Sequence, residues 1–202
     1  ITIGTGTAFS EKSPMNGYYN YSWSNSIYLA SEINSSGSLT KLAFYVDNAP
    51  VNFVMNNQKI YARHTSASAV SSANYTGPEG FTLIYTGSIT YNGTGWNAVS
   101  LTTPFNYNGA SNLEFYFENN DGTYSSGFPY FRYTTTPSGT VNHRTKRDYK
   151  DASFPSSCNY CGSVALVPNI QLTIVPCTFD SGVTTASPAS VVPGNTTAVS
   201  LT

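Results

Sequence analysis

The run Leu113-Glu114-Phe115-Tyr116-Phe117-Glu118 constrains this chain most. Leu113, Phe115 and Phe117 alternate with Glu114, Tyr116 and Glu118, the period of a strand with one buried face. Asn119-Asn120-Asp121-Gly122 stops the run with strong turn chemistry, and the chain returns through an aromatic, extended Phe128 to Tyr133. The expected arrangement is a core strand that delivers a polar loop to one edge of a β-sandwich. Glu114 and Glu118 share the face opposite Leu113, Phe115 and Phe117, and are expected at solvent.

The rest of the chain reads in the same way. Strands are expected at Ile1 to Thr7, Ser26 to Ile33, Leu39 to Val46, Gln58 to His64, Phe81 to Thr90, Trp96 to Leu101 and Asn169 to Val175. Residues 8–24, with Pro14, Gly17 and the cluster Tyr18, Tyr19, Tyr21 and Trp23, read as a loop. Asn92-Gly93 between two strand-like runs is a hairpin signal. No stretch of ten residues has helical period, although a single turn fits Ala67 to Ser72. About ten short antiparallel strands with no helices between them predict an all-β jelly-roll sandwich, closed near Pro176 by pairing of the last strand with an early one.

Composition supports a folded chain with an uncharged surface. Charged residues are 9% of 202, against roughly 25% in ordinary soluble domains. Hydrophobic residues are 40% and aromatics 14%, both too many for a disordered chain. Polarity comes from Ser, Thr, Asn and sixteen Tyr, a surface suited to carbohydrate or protein contact outside cells. A net charge of −1 gives no electrostatic footprint for nucleic acid. No apolar run approaches the length of about 18 residues that a membrane helix needs. The opening ITIGTG is strand-like and carries no signal peptide, as expected of a processed or excised segment. Three cysteines leave one, Cys177, expected to pair outside this stretch. Beyond it, aromatics stop after Phe179 and Val-, Thr- and Pro-rich runs begin, so 1–176 is expected to be one module and 177–202 a linker with the start of an immunoglobulin-like one.

The runs IGTGT, YYNYSWSNSIYLASEI, LTKLAFYV, KIYARHT, GWNAVSL, PFNYNGASNLEFYFENNDG and PNIQLTIV resemble a module recurring in large secreted and surface proteins of Bacteroidetes. Those proteins are adhesins, proteases and polysaccharide-degrading enzymes, often exported by the type IX system. The resemblance covers roughly residues 1–176. It implies a galactose-binding-like jelly roll with an accessory binding role, and it implies that Cys177 pairs within the next module.

Four groups of residues are candidates for chemistry. Tyr18, Tyr19, Tyr21, Trp23, Trp96, Tyr124 and Tyr130 lie in or beside expected loops, where rings stack on sugar faces; the alternative is half-buried packing. Glu118, Asn119, Asp121 and Thr123 put oxygens on one turn, as a structural calcium needs; the alternative is an ordinary Asn-Asp-Gly turn. His143 to Lys150 holds four of the nine cations, and alternation puts Arg144 and Lys146 on one face that suits sulfated or uronic sugars. Charges that block strand-edge pairing are the plainer reading of it. Cys158 and Cys161, between Pro155 and Gly162, read as a local loop disulfide rather than a zinc or thioredoxin-type site.

Catalytic signatures are missing from the sequence. His64 and His143 are the only histidines, and no G-x-S-x-G, H-E-x-x-H or Gly-rich phosphate loop occurs. A glycosidase pair from Glu114, Glu118 and Asp121 is the one enzymatic option. The expected function is non-catalytic binding of a polysaccharide or cell-surface glycan, in a secreted or surface protein whose other modules are its neighbours. The alternative is an adhesin or spacer module that contacts protein and holds no glycan.

Overall fold

The computed structural model describes residues 1–10, 12–70, 77–124, 126–139, 142–158 and 161–176. They form two antiparallel sheets packed face to face. The seven-stranded sheet contains β1 (Thr2–Ile3), β2 (Ala8–Ser10), β4 (Gly37–Val46), β7 (Gly95–Tyr107), β9 (Phe131–Thr135), β12 (Leu166–Pro168) and β13 (Ile170–Val175). The six-stranded sheet runs β11 (Gly162–Val164), β10 (Thr145–Lys150), β3 (Tyr21–Tyr28), β8 (Asn112–Asn119), β5 (Phe53–Thr65), β6 (Thr82–Tyr91). The all-β sandwich expected from the sequence is present. The last strand closes it, since β13 pairs with both β1 and β4. The proposed second module and Cys177 lie outside the described residues.

The core fills the space between the sheets as the alternation predicts. Phe115 and Phe117 of β8 face inward, and Phe44 of β4 meets Phe117 edge to face with ring centres 5.6 Å apart. Tyr28 packs on Phe115 and donates its hydroxyl to the Pro168 carbonyl at 2.9 Å. Burial raises the pKa of that phenol, because the phenolate would lose its hydration.

Three local expectations are corrected. The segment 8–24 is not all loop. β2 pairs with β9, and β3 starts at Tyr21 because β8 and β10 flank it on both sides. The expected strand over Ser26 to Ile33 ends at Tyr28 and gives way to one helical turn, α1 (Ala30–Ile33). Glu32 accepts the Leu29 N–H at 2.9 Å at the start of this turn, and Asn34, at φ 44°, ends it in the left-handed conformation. Finally, β7 runs straight through Pro104. The partner strand β4 has its register break there, between Leu39 and Lys41, so no ladder N–H is required of the proline. Of the possible helical turn at 67–72, residues 67–70 are irregular and 71–72 lie outside the described residues.

Loops between β8 and β9, and between β9 and β10, cross from one sheet to the other.

Two measurements check this packing. Phe117→Ala, at a fully buried ring shared by both sheets, is expected to lower unfolding free energy by about 3–5 kcal/mol in urea denaturation. His64 is expected to make stability depend on pH. Its pKa is lowered by burial, and its Nε2 accepts the Asn108 N–H at 3.1 Å. The unfolded chain, with its imidazole near pKa 6.5, therefore takes up the proton first. The contribution of His64 is complete above about pH 6.5 and is lost as pH falls below it. The urea midpoint of His64→Gln is expected to fall less than that of the native chain over that acid range.

Candidate functional site

Aromatic side chains collect at the end of the sandwich where β3 begins and β8 stops. Tyr18 and Tyr19 come from the turn before β3, Tyr124 and Phe128 from the β8–β9 loop, Tyr130 from just before β9. Tyr18 is 47% exposed and Tyr124 62%. Tyr18 is the hub: its ring centre lies 5.0 Å from Tyr19, 5.3 Å from Phe128 and 6.2 Å from Tyr124. The contacts continue in both directions. Tyr19 lies at 4.3 Å from Tyr149 of β10, whose ring the Lys12 ammonium approaches at 5.4 Å. Phe128 meets Tyr130 at 5.3 Å, and Tyr130 meets the 54% exposed Phe9 at 5.7 Å.

The belt extends onto the outer face of the seven-stranded sheet. Phe9 pairs in register with Arg132. The Arg132 guanidinium lies 4.2 Å above Tyr45 and is ion-paired to Asp47 at 2.5 Å. Tyr45 in turn meets Trp96 edge to face at 5.4 Å. Rings locked by such contacts lose little freedom when a ligand stacks on them.

Backbone geometry explains why these rings stay outside. The segment 13–17 turns inward: Met15 and Asn16 are each 1% exposed. Asn16 Oδ1 accepts the Tyr18 N–H at 3.0 Å, and the Asn119 amide donates to the Asn16 and Tyr19 carbonyls at 2.8 and 3.1 Å. With its backbone anchored below, the Tyr18-Tyr19 turn can only present its side chains at the surface. Gly122 supports the same end, donating to the Asn20 carbonyl at 2.9 Å in a left-handed conformation, φ 79°, that favours glycine.

The structure thus gathers Tyr18, Tyr19, Tyr124 and Tyr130 and places Trp96 along the same belt. Tyr21, half-buried at the start of β3, has its hydroxyl against Gly122. Trp23 is different. It lies inside β3, is 2% exposed and stacks on Tyr116 with ring centres 5.8 Å apart, so it is a packing residue and not an exposed platform. Phe9, Phe128 and Tyr149 were not anticipated. Phe9 and Tyr149 stand singly among small or charged neighbours, and only strand pairing brings them to the belt.

The four oxygen ligands expected for calcium are not all brought to one side of the turn. Glu118 and Asn119 are successive strand residues and point to opposite faces of β8. Glu118 meets Lys59 at 3.5 Å, whereas Asn119 Oδ1 accepts from Gln58 at 2.6 Å inside the sandwich. Asp121 Oδ2 accepts the Asn56 N–H at 2.9 Å, and its Oδ1 accepts the Thr123 hydroxyl at 3.3 Å. Among the described residues no three acidic, His or Cys side chains are grouped as a metal would require.

The expected solvent-facing carboxylates are also corrected. Glu114 and Glu118 are 5% and 7% exposed, because the outer face of β8 is itself covered and their charges are matched by Arg63 at 2.6 Å and Lys59. Nor does the basic segment form an exposed cationic face. Arg144 is 7% exposed and ion-paired to Glu32 at 2.8 Å, and Lys146 is 6% exposed with a pKa lowered by burial. β10 is no free edge where β11 pairs with Thr145 to Arg147. Cys158 and Cys161 are paired as the expected local disulfide.

No protein-family model matches the chain, and no curated protein and no solved structure matches it.

Trp23→Ala is expected to cost about 3–5 kcal/mol in urea denaturation. Tyr124→Ala, on an exposed ring, is expected to stay within about 0.5 kcal/mol of the native chain.

Proposed function

We propose that this chain is a non-catalytic module that binds carbohydrate, a polysaccharide or a cell-surface glycan, as part of a secreted or surface multidomain protein. The belt around Tyr18 is the observation that supports this reading. Pyranose rings offer an apolar face of C–H groups and a rim of hydroxyls. Exposed tyrosines supply the complementary flat surface and a phenol at its edge. An elongated row of rings suits several consecutive sugars better than one small ligand. Asn48 braces the same end, donating to the Phe128 carbonyl at 2.8 Å and accepting the Tyr130 N–H at 2.9 Å.

The surroundings favour a neutral ligand. Arg132, which lies over Tyr45, is offset by Asp47. Stacking and hydroxyl contacts are little screened by salt, unlike the phosphate or sulfate contacts of a basic surface. Structural calcium remains a separate proposal of this reading; it does not form the belt, and its test is whether EDTA changes binding or melting temperature.

The test is affinity electrophoresis through gels containing neutral and acidic polysaccharides, with and without EDTA. A neutral polysaccharide is expected to retard the native chain. The double substitution Tyr18→Ala, Tyr124→Ala is expected to abolish retardation with the melting temperature unchanged. Normal mobility in every gel would overturn the reading for the glycans tested and favour a spacer or protein-contacting adhesin module, for which the same rings would be a protein interface.

A further inference from the structure

The end of the sandwich opposite the belt carries a second feature. β3 runs from the belt at Tyr21 to Tyr28, and β10 runs the other way, from Thr145, next to Arg144, to Tyr149 against Tyr19. An eight-residue strand spans about 25 Å, so the two ends are separate places. Here a cleft of about 360 Å³ opens between the sheets. Ile3, Leu29, Pro137 and Val167 give it apolar walls, and Glu32 and Arg144 give it charge.

These two side chains are unlike a surface ion pair. Arg144 is 7% exposed. Among the described residues its side chain has one hydrogen bond, from Nη1 to Glu32 Oε2 at 2.8 Å, and its Nε is buried with no partner. Of the five N–H donors of the guanidinium, the one on Nε is thus buried without an acceptor. Burial in that condition costs stability unless something completes it. Glu32 is also only half used. Both hydrogen bonds it accepts, from the Leu29 N–H and from Arg144, fall on Oε2, leaving Oε1 as an acceptor.

We propose that this cleft is a second binding site, taking a single neutral, polyhydroxylated ring through a pair of adjacent hydroxyls. One hydroxyl accepts from Arg144 while its neighbour donates to Glu32, and the C–H face of the ring lies on the apolar walls. The pair itself selects the charge of the ligand. A carboxylate or sulfate that approached Arg144 would meet the Glu32 carboxylate beside it, and a cation would meet Arg144. The volume accommodates one sugar-sized ring, in contrast to the open belt. The choice of sugar as ligand class rests on the glycan reading of the belt, but the cleft shares no residue with the belt and fails or stands by a different measurement.

The experiment is amide proton–nitrogen NMR of the full chain, titrated separately with methyl β-D-glucopyranoside, methyl β-D-galactopyranoside, methyl α-D-mannopyranoside and sodium glucuronate. At least one neutral glycoside is expected to shift the signals of Leu29, Thr135, Asn142 and the Arg144 Nε–H, with glucuronate without effect. Ser68→Phe, at an exposed position on the cleft wall, is expected to abolish those shifts without disturbing the core. Glu32→Gln is expected to weaken binding about tenfold, the loss of one hydrogen bond to a charged group. In Tyr18→Ala, Tyr124→Ala the cleft shifts are expected to persist although polysaccharide retardation is lost. A cleft silent to every neutral glycoside, or one that answers glucuronate more strongly, overturns the proposal. If polysaccharide retardation is retained beside a silent cleft, only the cleft reading has failed.

Discussion

The sandwich depends on β8 being buried on both sides. Its inner face supplies Leu113, Phe115 and Phe117 to the contact with the other sheet, where Phe44 and Phe131 stand opposite. Its outer face carries Glu114, Tyr116 and Glu118, each nearly inaccessible to water. A strand in that position has no solvated face on which to leave an unmatched charge. The flanking strands must therefore bring complements at fixed register. β5 places Lys59, Tyr61 and Arg63 directly across from Glu118, Tyr116 and Glu114. β3 places Trp23 beside Glu118 and Asn25 beside Tyr116. A one-residue slip of β5 would put Arg63 or Lys59 beside a phenylalanine of β8 and leave both carboxylates without their directly opposite partners. The ion pairs on this face thus specify register rather than add much net stability, since desolvation offsets most of their attraction.

β3 meets the same constraint by an unusual distribution of side chains. Its first three inward positions are Ser22, Ser24 and Ser26, opposite Asn119, Phe117 and Phe115, and only the fourth, Tyr28, is large, while Trp23, Asn25 and Ile27 face outward. The small inner side chains leave room for the segment 13–17 to enter the core. There Ser24 donates its hydroxyl to the Pro14 carbonyl, and Ser22 accepts the Asn16 N–H at 3.3 Å. Anchoring that segment is what holds the Tyr18-Tyr19 turn at the surface. The composition of one strand's interior face thus shapes the presentation of the aromatic belt.

These particulars show what the sequence could and could not reveal. Strands with large apolar residues at alternate positions, such as β4, β5 and β8, were legible, because burial of one face is a property local to the strand. The first half of β3 was not, since Trp23 faces away from the central core and Ser22 and Ser24 face inward. β2 was not, since three residues become a strand only through pairing with β9. The aromatic belt was partly legible: Tyr18, Tyr19 and Tyr124 lie in turn-rich segments, where rings tend to stay exposed. Trp23 belonged to the same sequence cluster, but strand alternation sends it to a covered face. The Glu32–Arg144 pair spans 112 positions, and no local pattern could have joined a helical turn to the foot of a basic strand.

A surface with so few charges limits the forces a partner can use. Long-range steering needs a net field, and this chain has a formal charge of −1. Arg63 is ion-paired to Glu114 and Arg144 to Glu32. With charged residues only 9% of the chain, ring area, hydroxyl and amide make up much of what a partner can touch. Such groups recognise at contact distance, through shape and paired hydrogen bonds, and each contact is weak alone. Affinity in that regime comes from repetition: many rings in a row, or a second site at the far end of the same module. The extended neutral polymer proposed as ligand would meet both conditions, because one chain presents the same faces again at regular intervals and pays the entropy of association only once.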